Sequence, residues 1–276
     1  MLYYYANTGH KIGLERLRRG VALLNSLESH GVETRFLVND FRAGLVAKEL
    51  GAKDYVTVEG VQDIDAIAEH GDSIIIDSIE DDHGRLVKYC EDFKNVWRFA
   101  HDKSDKAIHN EMILAVDSVF VDEVYFEKVD KEERVLFFFG DADYDKIVLG
   151  NADFFKAFDM ELLLGNYFFV KYEDDLAKLF STLHEPEEYG DLITSSHTVV
   201  TCSAQTALEV KASGGRSIYI NTTETVLYPV NTLSEYGIEI IDGFNTEVLQ
   251  SVLENAISNE GKSLDKMNNK ELLSKL

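Results

Sequence analysis

Short apolar segments alternate with amphipathic segments along the first hundred residues of the chain. The predicted strands are 2–6, 33–38, 55–58, 73–76 and 96–100. The predicted helices between them are 14–29, 42–50, 61–70 and 84–93. Strands that alternate regularly with helices are typical of right-handed βαβ units and a parallel sheet. The sequence therefore predicts an α/β fold, with a doubly wound sheet covered by helices on both faces.

A charged connector at 128–134 interrupts this pattern, which then restarts. The predicted strands of the second half are 135–139, 160–164, 167–170, 198–201 and 217–220, and its predicted helices are 146–158, 174–181, 206–212 and 247–259. The tail from Gly261 is polar and either frays or forms a last helix. We therefore predict two Rossmann-like lobes, residues 1–127 and 135–276, with a cleft between them. The aromatic runs 3–5 and 137–139 predict buried strands rather than a stacking platform.

The charge of the chain limits its partners. It has 50 acidic and 27 basic residues, for a net charge of −23. Nucleic acids and anionic membranes bind basic surfaces, so we expect neither as a partner, although a small phosphorylated ligand needs only a local positive site. The two cysteines are far apart and no secretory leader is apparent, which is typical of a reducing cytoplasm. No apolar run reaches the length of a membrane span.

The stretch from Tyr3 to Gly20 predicts a strand, a loop with Gly9 and Gly13, and the start of a long helix. Such an arrangement recurs in phosphate sites, because a helix N-terminus presents N–H groups and glycine lets the backbone approach a ligand. Ligands of open parallel sheets lie at the carboxyl ends of strands. We therefore predict that this loop binds an anion.

Four cations lie in nine positions of this acidic chain: Lys11, Arg16, Arg18 and Arg19. Arg16 and Arg19 are three residues apart and so share a helix face. Cations at a helix N-terminus are unfavourable unless an anion lies nearby. The cluster therefore either binds an anionic ligand or forms a solvated face that offsets neighbouring acidic residues.

Three short segments follow one another along the chain in an order that is also found in a known protein family. Ile12-Gly13-Leu14-Glu15-Arg16-Leu17-Arg18-Arg19 opens the first helix, Asp77 follows a buried strand, and Gly140-Asp141-Ala142-Asp143 follows another. This order resembles the GT-B architecture, particularly the UDP-sugar hydrolases of pseudaminic acid biosynthesis (the SpsG and PseG type). It resembles more distantly the transferase that adds N-acetylglucosamine in peptidoglycan synthesis. The first loop of the hydrolases reads roughly I-G-x-G-H-x-x-R, which Ile12, Gly13 and Arg19 match.

A second match runs from Val199 to Glu209 and is followed by a small-residue turn and a strand. In the family such a loop and helix hold the nucleotide, with the acidic residue placed for the ribose hydroxyls. The resemblance therefore implies that these residues bind the nucleoside: Ser203, Ala204, Gln205, Thr206 and Glu209. The spacing of Thr206 and Glu209 is also that of a capping box, which requires no ligand.

The chain departs from the family at its catalytic histidine, which is replaced by Arg16, while the preceding glycine is Glu15. A guanidinium stays protonated near neutral pH and cannot act as a general base, but it binds a diphosphate well. His10, six residues earlier, is either a relocated base or a loop histidine that caps the backbone. Asp77 is the other catalytic candidate.

The remaining polar clusters have two interpretations each. Asp141 and Asp143 either bind a sugar hydroxyl or cap a turn. Residues 80–83 combine three acids with His83, but without a standard metal-ligand spacing. A solvated acidic loop is the preferred interpretation there, so we expect no metal and no cofactor.

The resemblance, together with the basic cluster, implies a protein that binds a nucleotide sugar, with UDP as the expected nucleotide, and we expect it in the cytoplasm. The diphosphate would lie on 9–13 with Arg16 and Arg19. The protein would act as a hydrolase or glycosyltransferase at the sugar–diphosphate bond in surface-glycan or flagellin-glycan biosynthesis. The alternative is a non-catalytic GT-B-like relative that binds or regulates a partner protein of glycan assembly. A third possibility is an ordinary α/β protein with a different ligand.

Overall fold

The computed structural model describes residues 1–168, 170–222, 227–255, 261–266 and 270–276. The chain forms two compact units. Unit 1 contains Met1–Glu123 together with Lys266–Leu276, and unit 2 contains Val124–Asp265. No helix in these described ranges is long and apolar enough to cross a membrane.

Unit 1 is built on a six-stranded parallel sheet. Its strands are β1 (Leu2–Ala6), β2 (Thr34–Val38), β3 (Tyr55–Thr57), β4 (Ser73–Asp77), β5 (Asn95–Phe99) and β6 (Met112–Leu114). Its first helices are α1 (Glu15–Ser29), α2 (Phe41–Glu49) and α3 (Arg85–Asp92), with a 3-10 helix at Val61–Ala66. A further 3-10 helix, Glu123–Phe126, contains the boundary between the two units. The strand order is β3-β2-β1-β4-β5-β6. Strands β2 and β3 are added on one side of β1, and β4 to β6 on the other. The direction in which successive strands are added therefore reverses between β1 and β4, which we call the reversal point of the sheet.

The sheet of unit 1 is buried on both faces, as expected of a parallel sheet between helices. Every residue of β1 and β4 is buried. Tyr3 and Tyr5 pack with Ile74 and Ile76 on one face. On the other face Tyr4 stacks on Phe36, with ring centroids 5.4 Å apart. The tyrosine run is thus a core strand, as its sequence predicts.

Gly20 lets α1 lie directly on this second face. A Cβ atom at position 20 would be 2.4 Å from Cε1 of Tyr4 and 2.9 Å from Cε2 of Phe36. These contacts are shorter than carbon atoms tolerate, and both rings are buried. The glycine is therefore required by the close approach of the helix to the strands.

Unit 2 repeats the plan of unit 1. Its strands are β7 (Glu132–Phe138), β8 (Glu161–Leu163), β9 (Thr182–His184), β10 (Ser196–Thr201), β11 (Arg216–Asn221) and β12 (Glu239–Asp242). Its helices are α4 (Ile147–Gly150), α5 (Ala152–Phe155), α6 (Val170–Leu176), α7 (Tyr189–Ser195), α8 (Ala204–Ala212), α9 (Val230–Glu235) and α10 (Thr246–Glu254), with a 3-10 helix at Pro186–Glu188. The parallel strand order is β12-β11-β10-β7-β8-β9, so the reversal lies between β7 and β10.

Phenylalanine rings fill the core of unit 2 beside β7. The centroid of Phe137 is 4.8 Å from that of Phe155 and 5.8 Å from that of Phe180. Phe155 and Phe180 are 5.1 Å apart. The run 137–139 therefore belongs to the core, as its composition predicts.

Several predicted boundaries differ from the structure. The strand predicted at 167–170 is wrong, because Tyr167 and Phe168 lie in a turn and α6 begins at Val170, residue 169 being outside the described part. The helix predicted at 61–70 is a shorter 3-10 helix. The last helix of unit 2 ends at Glu254, and residues 256–259 of its predicted span lie outside the described part.

The C-terminal segment ends in α11 (Lys270–Lys275) and belongs to unit 1. Lys94 Nζ donates to the carbonyl oxygen of Leu276 at 2.6 Å, and Asn95 Nδ2 donates to that of Lys275 at 3.0 Å. These contacts hold the segment beside the amino end of β5. The sequence assigns 135–276 to the second lobe, whereas the structure returns Lys266–Leu276 to the first.

Candidate functional site

The carboxyl ends of β1 and β4 lie side by side at the reversal point of unit 1. Ala6 pairs with Asp77 in the parallel ladder, and Asn7 N donates to the Asp77 carbonyl oxygen at 3.0 Å. Ligands of open α/β sheets bind at such a point, outside the carboxyl ends of the strands. The structure thus brings the predicted loop 9–13 and Asp77 to one edge of the sheet.

The loop is closed by its two glycines. Ile12 N and Gly13 N both donate to the carbonyl oxygen of Gly9, at 2.9 and 2.7 Å. Gly9 has φ +146° and Gly13 has φ +82°, which side chains rarely adopt. A Cβ at either position would meet open space. Backbone conformation rather than crowding therefore requires glycine, and the turn presents exposed His10 at its tip.

Asn39 holds the base of this loop, a role that the sequence does not reveal. Its Oδ1 accepts from Thr8 N at 2.8 Å and from Thr8 Oγ1 at 2.9 Å, and its Nδ2 donates to the Thr8 carbonyl oxygen at 3.0 Å. Asn39 directly follows β2, the neighbour of β1. Three hydrogen bonds between adjacent strand ends therefore fix where the glycine loop starts.

Asp77 is the centre of a buried cluster. Arg19 donates to both of its carboxylate oxygens, from Nε at 3.0 Å and from Nη2 at 2.6 Å, and Tyr4 Oη donates to Oδ2 at 2.6 Å. The Arg19 guanidinium also lies 3.7 Å from the ring centroid of Phe99. A bidentate pair stacked on an aromatic ring is a strong arrangement for arginine. Arg19 and Asp77 thus join α1 to β4.

Arg16 is the more accessible of the two predicted ligand arginines. Its Nε is 3.4 Å from Asp77 Oδ1, and 19% of its side-chain surface is exposed. The Arg19 side chain is only 3% exposed. An anion arriving from solvent would therefore meet Arg16 before Arg19. Leu14, the residue that precedes α1, has no polar side-chain atom with which to cap the helix.

Unit 2 has the equivalent reversal point at β7 and β10. Phe138 pairs with Thr201, and Cys202 N donates to the Phe138 carbonyl oxygen at 3.2 Å. Residues 140–143 follow β7, and the predicted nucleoside segment follows β10. The structure thus places Asp141 and Ser203 beyond the carboxyl ends of adjacent strands, as expected of a ligand site in this class of sheet.

Ser203, and not Thr206, caps the helix that follows β10. Its Oγ accepts from Thr206 N at 3.1 Å and from Thr206 Oγ1 at 2.9 Å, and α8 begins at Ala204. The capping box considered for Thr206 and Glu209 is therefore wrong, because Thr206 is already inside the first turn. The helix begins two residues earlier than its sequence predicts.

Glu209 lies in a buried network with two tyrosines. Its Oε2 accepts from Tyr189 Oη at 2.5 Å and its Oε1 from Gln205 Nε2 at 3.0 Å. Tyr189 Oη is also 2.8 Å from Thr206 Oγ1, and Tyr228 Oη donates to Gln205 Oε1 at 2.9 Å. These contacts orient the buried Glu209 carboxylate, whose oxygens are hydrogen-bond acceptors.

The two aspartates after β7 have different surroundings. Asp143 accepts from Ile147 N at 2.7 Å and from Val148 N at 3.1 Å, which confirms that it caps the following turn. Asp141 is buried and accepts from Asn166 Nδ2 at 2.9 Å. Asp143 thus has a structural role, and Asp141 stays the candidate for a sugar hydroxyl.

The Asp77 cluster generates a stability prediction. Asp77→Asn keeps the shape of the side chain but leaves the buried Arg19 cation without its counter-charge. Breaking a buried ion pair in this way typically costs about 3 kcal/mol or more. We expect that loss in the free energy of unfolding, measured by urea denaturation.

Asp72→Asn is the matched control, because Asp72 pairs with the N-terminal ammonium at a partly exposed position, at 2.9 Å. Pairs of that kind contribute about 1 kcal/mol or less. Equal losses in the two variants would contradict the central role of Asp77.

Known structures share this architecture. No family description and no curated protein matches the chain. Among solved structures, the Staphylococcus aureus MnaA–UDP complex is 10% identical, with a TM-score of 0.58, over 92% of this chain and 88% of that one.

The Methanocaldococcus jannaschii UDP-GlcNAc 2-epimerase in complex with UDP-GlcNAc and UDP is also 10% identical, with a TM-score of 0.56 and 99% of both chains covered. A putative UDP-N-acetylglucosamine 2-epimerase from Listeria monocytogenes is 10% identical, with a TM-score of 0.55, over 92% of this chain and 86% of that one. At such identities the likeness shows the fold. The predicted architecture is confirmed: the chain has a GT-B-like fold of two Rossmann-like lobes.

Proposed function

We propose that this protein binds a UDP-sugar and acts at the bond between sugar and diphosphate. The observation that carries the proposal is the glycine loop at the reversal point of unit 1, with Arg16 in the helix that follows it. The named ligands of the structural neighbours, UDP and UDP-GlcNAc, support the choice of nucleotide. A role in surface-glycan or flagellin-glycan assembly is part of this proposal.

The diphosphate would bind at the turn 9–13. Gly9 and Gly13 let the backbone approach an oxygen atom closely, and the first turn of α1 adds the positive end of the helix dipole. Arg16 would donate to the phosphate oxygens. Arg19, already bidentate with Asp77, would act as a positioning residue that holds α1 and hence Arg16.

The nucleoside would bind at the start of α8. Ser203 fixes the first turn, whose backbone runs through Ala204 and Gln205. Glu209 would accept from a ribose hydroxyl while Tyr189 and Gln205 hold its carboxylate. Asp141 would accept from a hydroxyl of the sugar.

Catalysis would break the sugar–phosphate bond by attack of water or of an acceptor hydroxyl. UDP leaves as an anion, and the positive charge of Arg16 would stabilise that charge as it develops. His10 is the proposed general base, since it is exposed at the tip of the turn. Asp77 is the weaker candidate, because three donated hydrogen bonds already occupy its oxygens.

Arg16→Ala tests the diphosphate site. A hydrogen bond to a charged group contributes about 1.5–3 kcal/mol, so we expect UDP to bind at least about tenfold more weakly. The measurement is calorimetric titration with UDP at low salt, with CDP and GDP as comparisons for base selectivity.

Arg35→Ala is the matched control for charge. Arg35 is at the amino end of β2, where its Nε is 3.5 Å from Asp54 Oδ2. Replacing it by alanine removes one positive charge from unit 1, as Arg16→Ala does. We expect unchanged UDP affinity in this variant. Equal weakening in both variants would assign the effect to net charge and contradict the site.

Glu209→Gln tests the nucleoside site through the ribose. If the carboxylate accepts from the 2′-hydroxyl, the natural protein should bind UDP about tenfold more tightly than 2′-deoxy-UDP. In the variant this preference should largely disappear. Glu187→Gln, an exposed position just before α7, should retain it. A preference that is the same in all three proteins would exclude Glu209 from ribose binding.

The second candidate function is a non-catalytic one, in which the protein binds a nucleotide sugar and regulates or assists a partner protein of glycan assembly. It is favoured by Arg16, which stands where the hydrolases have their catalytic histidine, and by the full engagement of Asp77. Neither residue is then suited to proton transfer.

Release of free sugar from a panel of UDP-sugars distinguishes the two functions. An enzyme with His10 as its base should release sugar, and His10→Ala should reduce the rate about 100-fold or more. His70→Ala, at an exposed position before β4, is the control and should keep the rate. UDP binding without any release of sugar would exclude hydrolysis and favour the non-catalytic function over the hydrolase.

A further inference from the structure

His184 lies between two carboxylates at the end of β9 in unit 2. Its Nε2 is 2.7 Å from Glu161 Oε2 in the neighbouring strand β8, and its Nδ1 is 3.4 Å from Glu188 Oε2 in the 3-10 helix that follows β9. The His184 side chain is only 15% exposed. None of the ligand contacts proposed for this protein involves this histidine.

The charge of the ring decides how well these contacts are satisfied. A neutral imidazole has one N–H donor and one acceptor nitrogen, whereas an imidazolium has two donors, and an ionised carboxylate only accepts. The charged ring can therefore donate to Glu161 and Glu188 at the same time. In the neutral ring, the lone pair of one nitrogen faces a carboxylate oxygen, and the two repel each other.

The other charged groups near His184 come from the neighbouring strands of the sheet. Arg134 of β7 pairs with Glu132, and its Nη1 is 3.5 Å from Glu161 Oε2. Arg134 and Glu161 also line a cavity of about 240 Å³, whose remaining titratable residues are Glu133, Asp159 and His197. Carboxylates therefore outnumber cations around His184, and His197 is a second histidine in the same surroundings.

Glu188 also closes the turn between β9 and α7. Its Oε1 accepts from Glu185 N at 3.0 Å, as part of the capping box of the 3-10 helix. This hydrogen bond, and then the contact with His184, lower the pKa of Glu188, so its carboxylate is ionised. Glu173 of α6 is another acidic group at this turn, and burial and the nearby Glu185 raise its pKa. The Glu188 carboxylate thus connects the ring of His184 to the backbone of the turn.

The residue after Glu188 is Tyr189, which belongs to the network of the proposed nucleoside site. Tyr189 is the first residue of α7, and Glu188 is the N-cap of that helix. The Tyr189 hydroxyl donates to Glu209 Oε2 at 2.5 Å, and its ring packs against Phe138 with centroids 5.3 Å apart. Contacts therefore connect His184 to Glu209 through the turn and Tyr189.

We infer that His184 is a positioning residue for the nucleoside site, and that its protonation makes ribose binding at Glu209 depend on pH. This inference rests on the proposed function. With the ring charged, both carboxylates are bonded and the turn holds Tyr189 against Glu209. With the ring neutral, repulsion at Glu188 loosens the turn. Because histidine ordinarily changes charge between about pH 5 and pH 8, ribose is held more tightly at the lower end of this range.

The ratio of two nucleotide affinities, measured at two pH values, tests the inference. UDP and 2′-deoxy-UDP are titrated calorimetrically into the full chain at about pH 6 and at about pH 8.5. Ionisation of the terminal phosphate also falls in this range, but it affects both nucleotides alike and cancels in the ratio. We expect the preference for UDP to fall from about tenfold at the lower pH to about threefold at the higher pH. A preference that does not change with pH would overturn the inference.

Two histidines supply a matched pair of variants. His184→Gln can still donate to Glu161 but cannot become charged, so we expect its preference for UDP to be about threefold at both pH values. His197→Gln is the control, because the Nδ1 of His197 is 3.1 Å from the hydroxyl of the adjacent Thr198. We expect this control to keep the pH dependence of the natural protein. Loss of the pH dependence in both variants would indicate net charge alone and contradict the role of His184.

Two glutamates of the turn supply a second pair. Glu188→Gln keeps an acceptor for Glu185 N but removes the negative charge that faces His184. We expect the preference of this variant to become independent of pH. Glu187→Gln, at an exposed position of the same 3-10 helix, should behave like the natural protein. A pH dependence that persists in Glu188→Gln would exclude the connection through the turn.

Urea unfolding without nucleotide keeps this inference separate from the proposed function. The charged ring stabilises the folded state only where it is protonated, so its contribution is present at low pH and lost as the pH rises. We expect His184→Gln to lower the urea midpoint more at about pH 6 than at about pH 8.5, and an equal decrease at both would overturn the inference. Absence of UDP binding by the natural protein would refute the proposed function. UDP binding with a ribose preference independent of pH would refute only the role of His184.

Discussion

The buried ion pair between Arg19 and Asp77 is the interaction on which unit 1 depends. It joins α1 to β4 across 58 residues of sequence, and Tyr4 adds a hydrogen bond from β1. Phe99 of β5 covers the guanidinium. A charge pair away from water is tolerated only when geometry and additional hydrogen bonds compensate for lost hydration, and both are present here. The pair therefore fixes the helix at the sheet edge from which the glycine turn projects.

Unit 2 stabilises its equivalent edge in a different way. Uncharged donors converge there on one carboxylate: Tyr189 and Gln205 on Glu209, with Tyr228 behind Gln205. The hydroxyl and amide groups of such a network polarise one another and so strengthen its hydrogen bonds. The two edges therefore have opposite chemical characters. The proposed phosphate ligand of unit 1 is a guanidinium, and the proposed hydroxyl acceptor of unit 2 is a buried carboxylate.

Local patterns were sufficient to predict most of the fold. Long apolar runs flanked by amphipathic segments give the central strands of both sheets, because residues buried on both faces leave a continuous signal. The sequence does not predict the edge strands β6, β9 and β12, since they have only three or four residues and are mostly half-buried or exposed. The return of α11 to unit 1 rests on backbone carbonyls, which carry no sequence signal.

The candidate site can be predicted only in part, because local patterns are visible in the sequence and contacts between distant residues are not. The glycine turn and Arg16 lie within one short stretch and can be found by pattern. The network around Glu209 cannot, because Tyr189, which donates to Glu209, and Tyr228, which donates to Gln205, lie about twenty residues away on either side. The sequence does not distinguish a cap at Ser203 from one at Thr206, because Thr206 has the same hydrogen-bonding chemistry three residues later. The sequence therefore predicts neither the contacts between distant residues nor which of two similar residues caps a helix.

The missing side chain of Gly20 also bears on the evolutionary history of the chain. The space that a methyl group would need is filled by the ring of Tyr4, whose hydroxyl serves the ion pair beneath α1. Positions 4 and 20 therefore cannot drift independently. Descendants that keep an aromatic ring at position 4 must keep glycine at position 20. Those that gain a side chain there must first lose the ring, and with it one donor to Asp77.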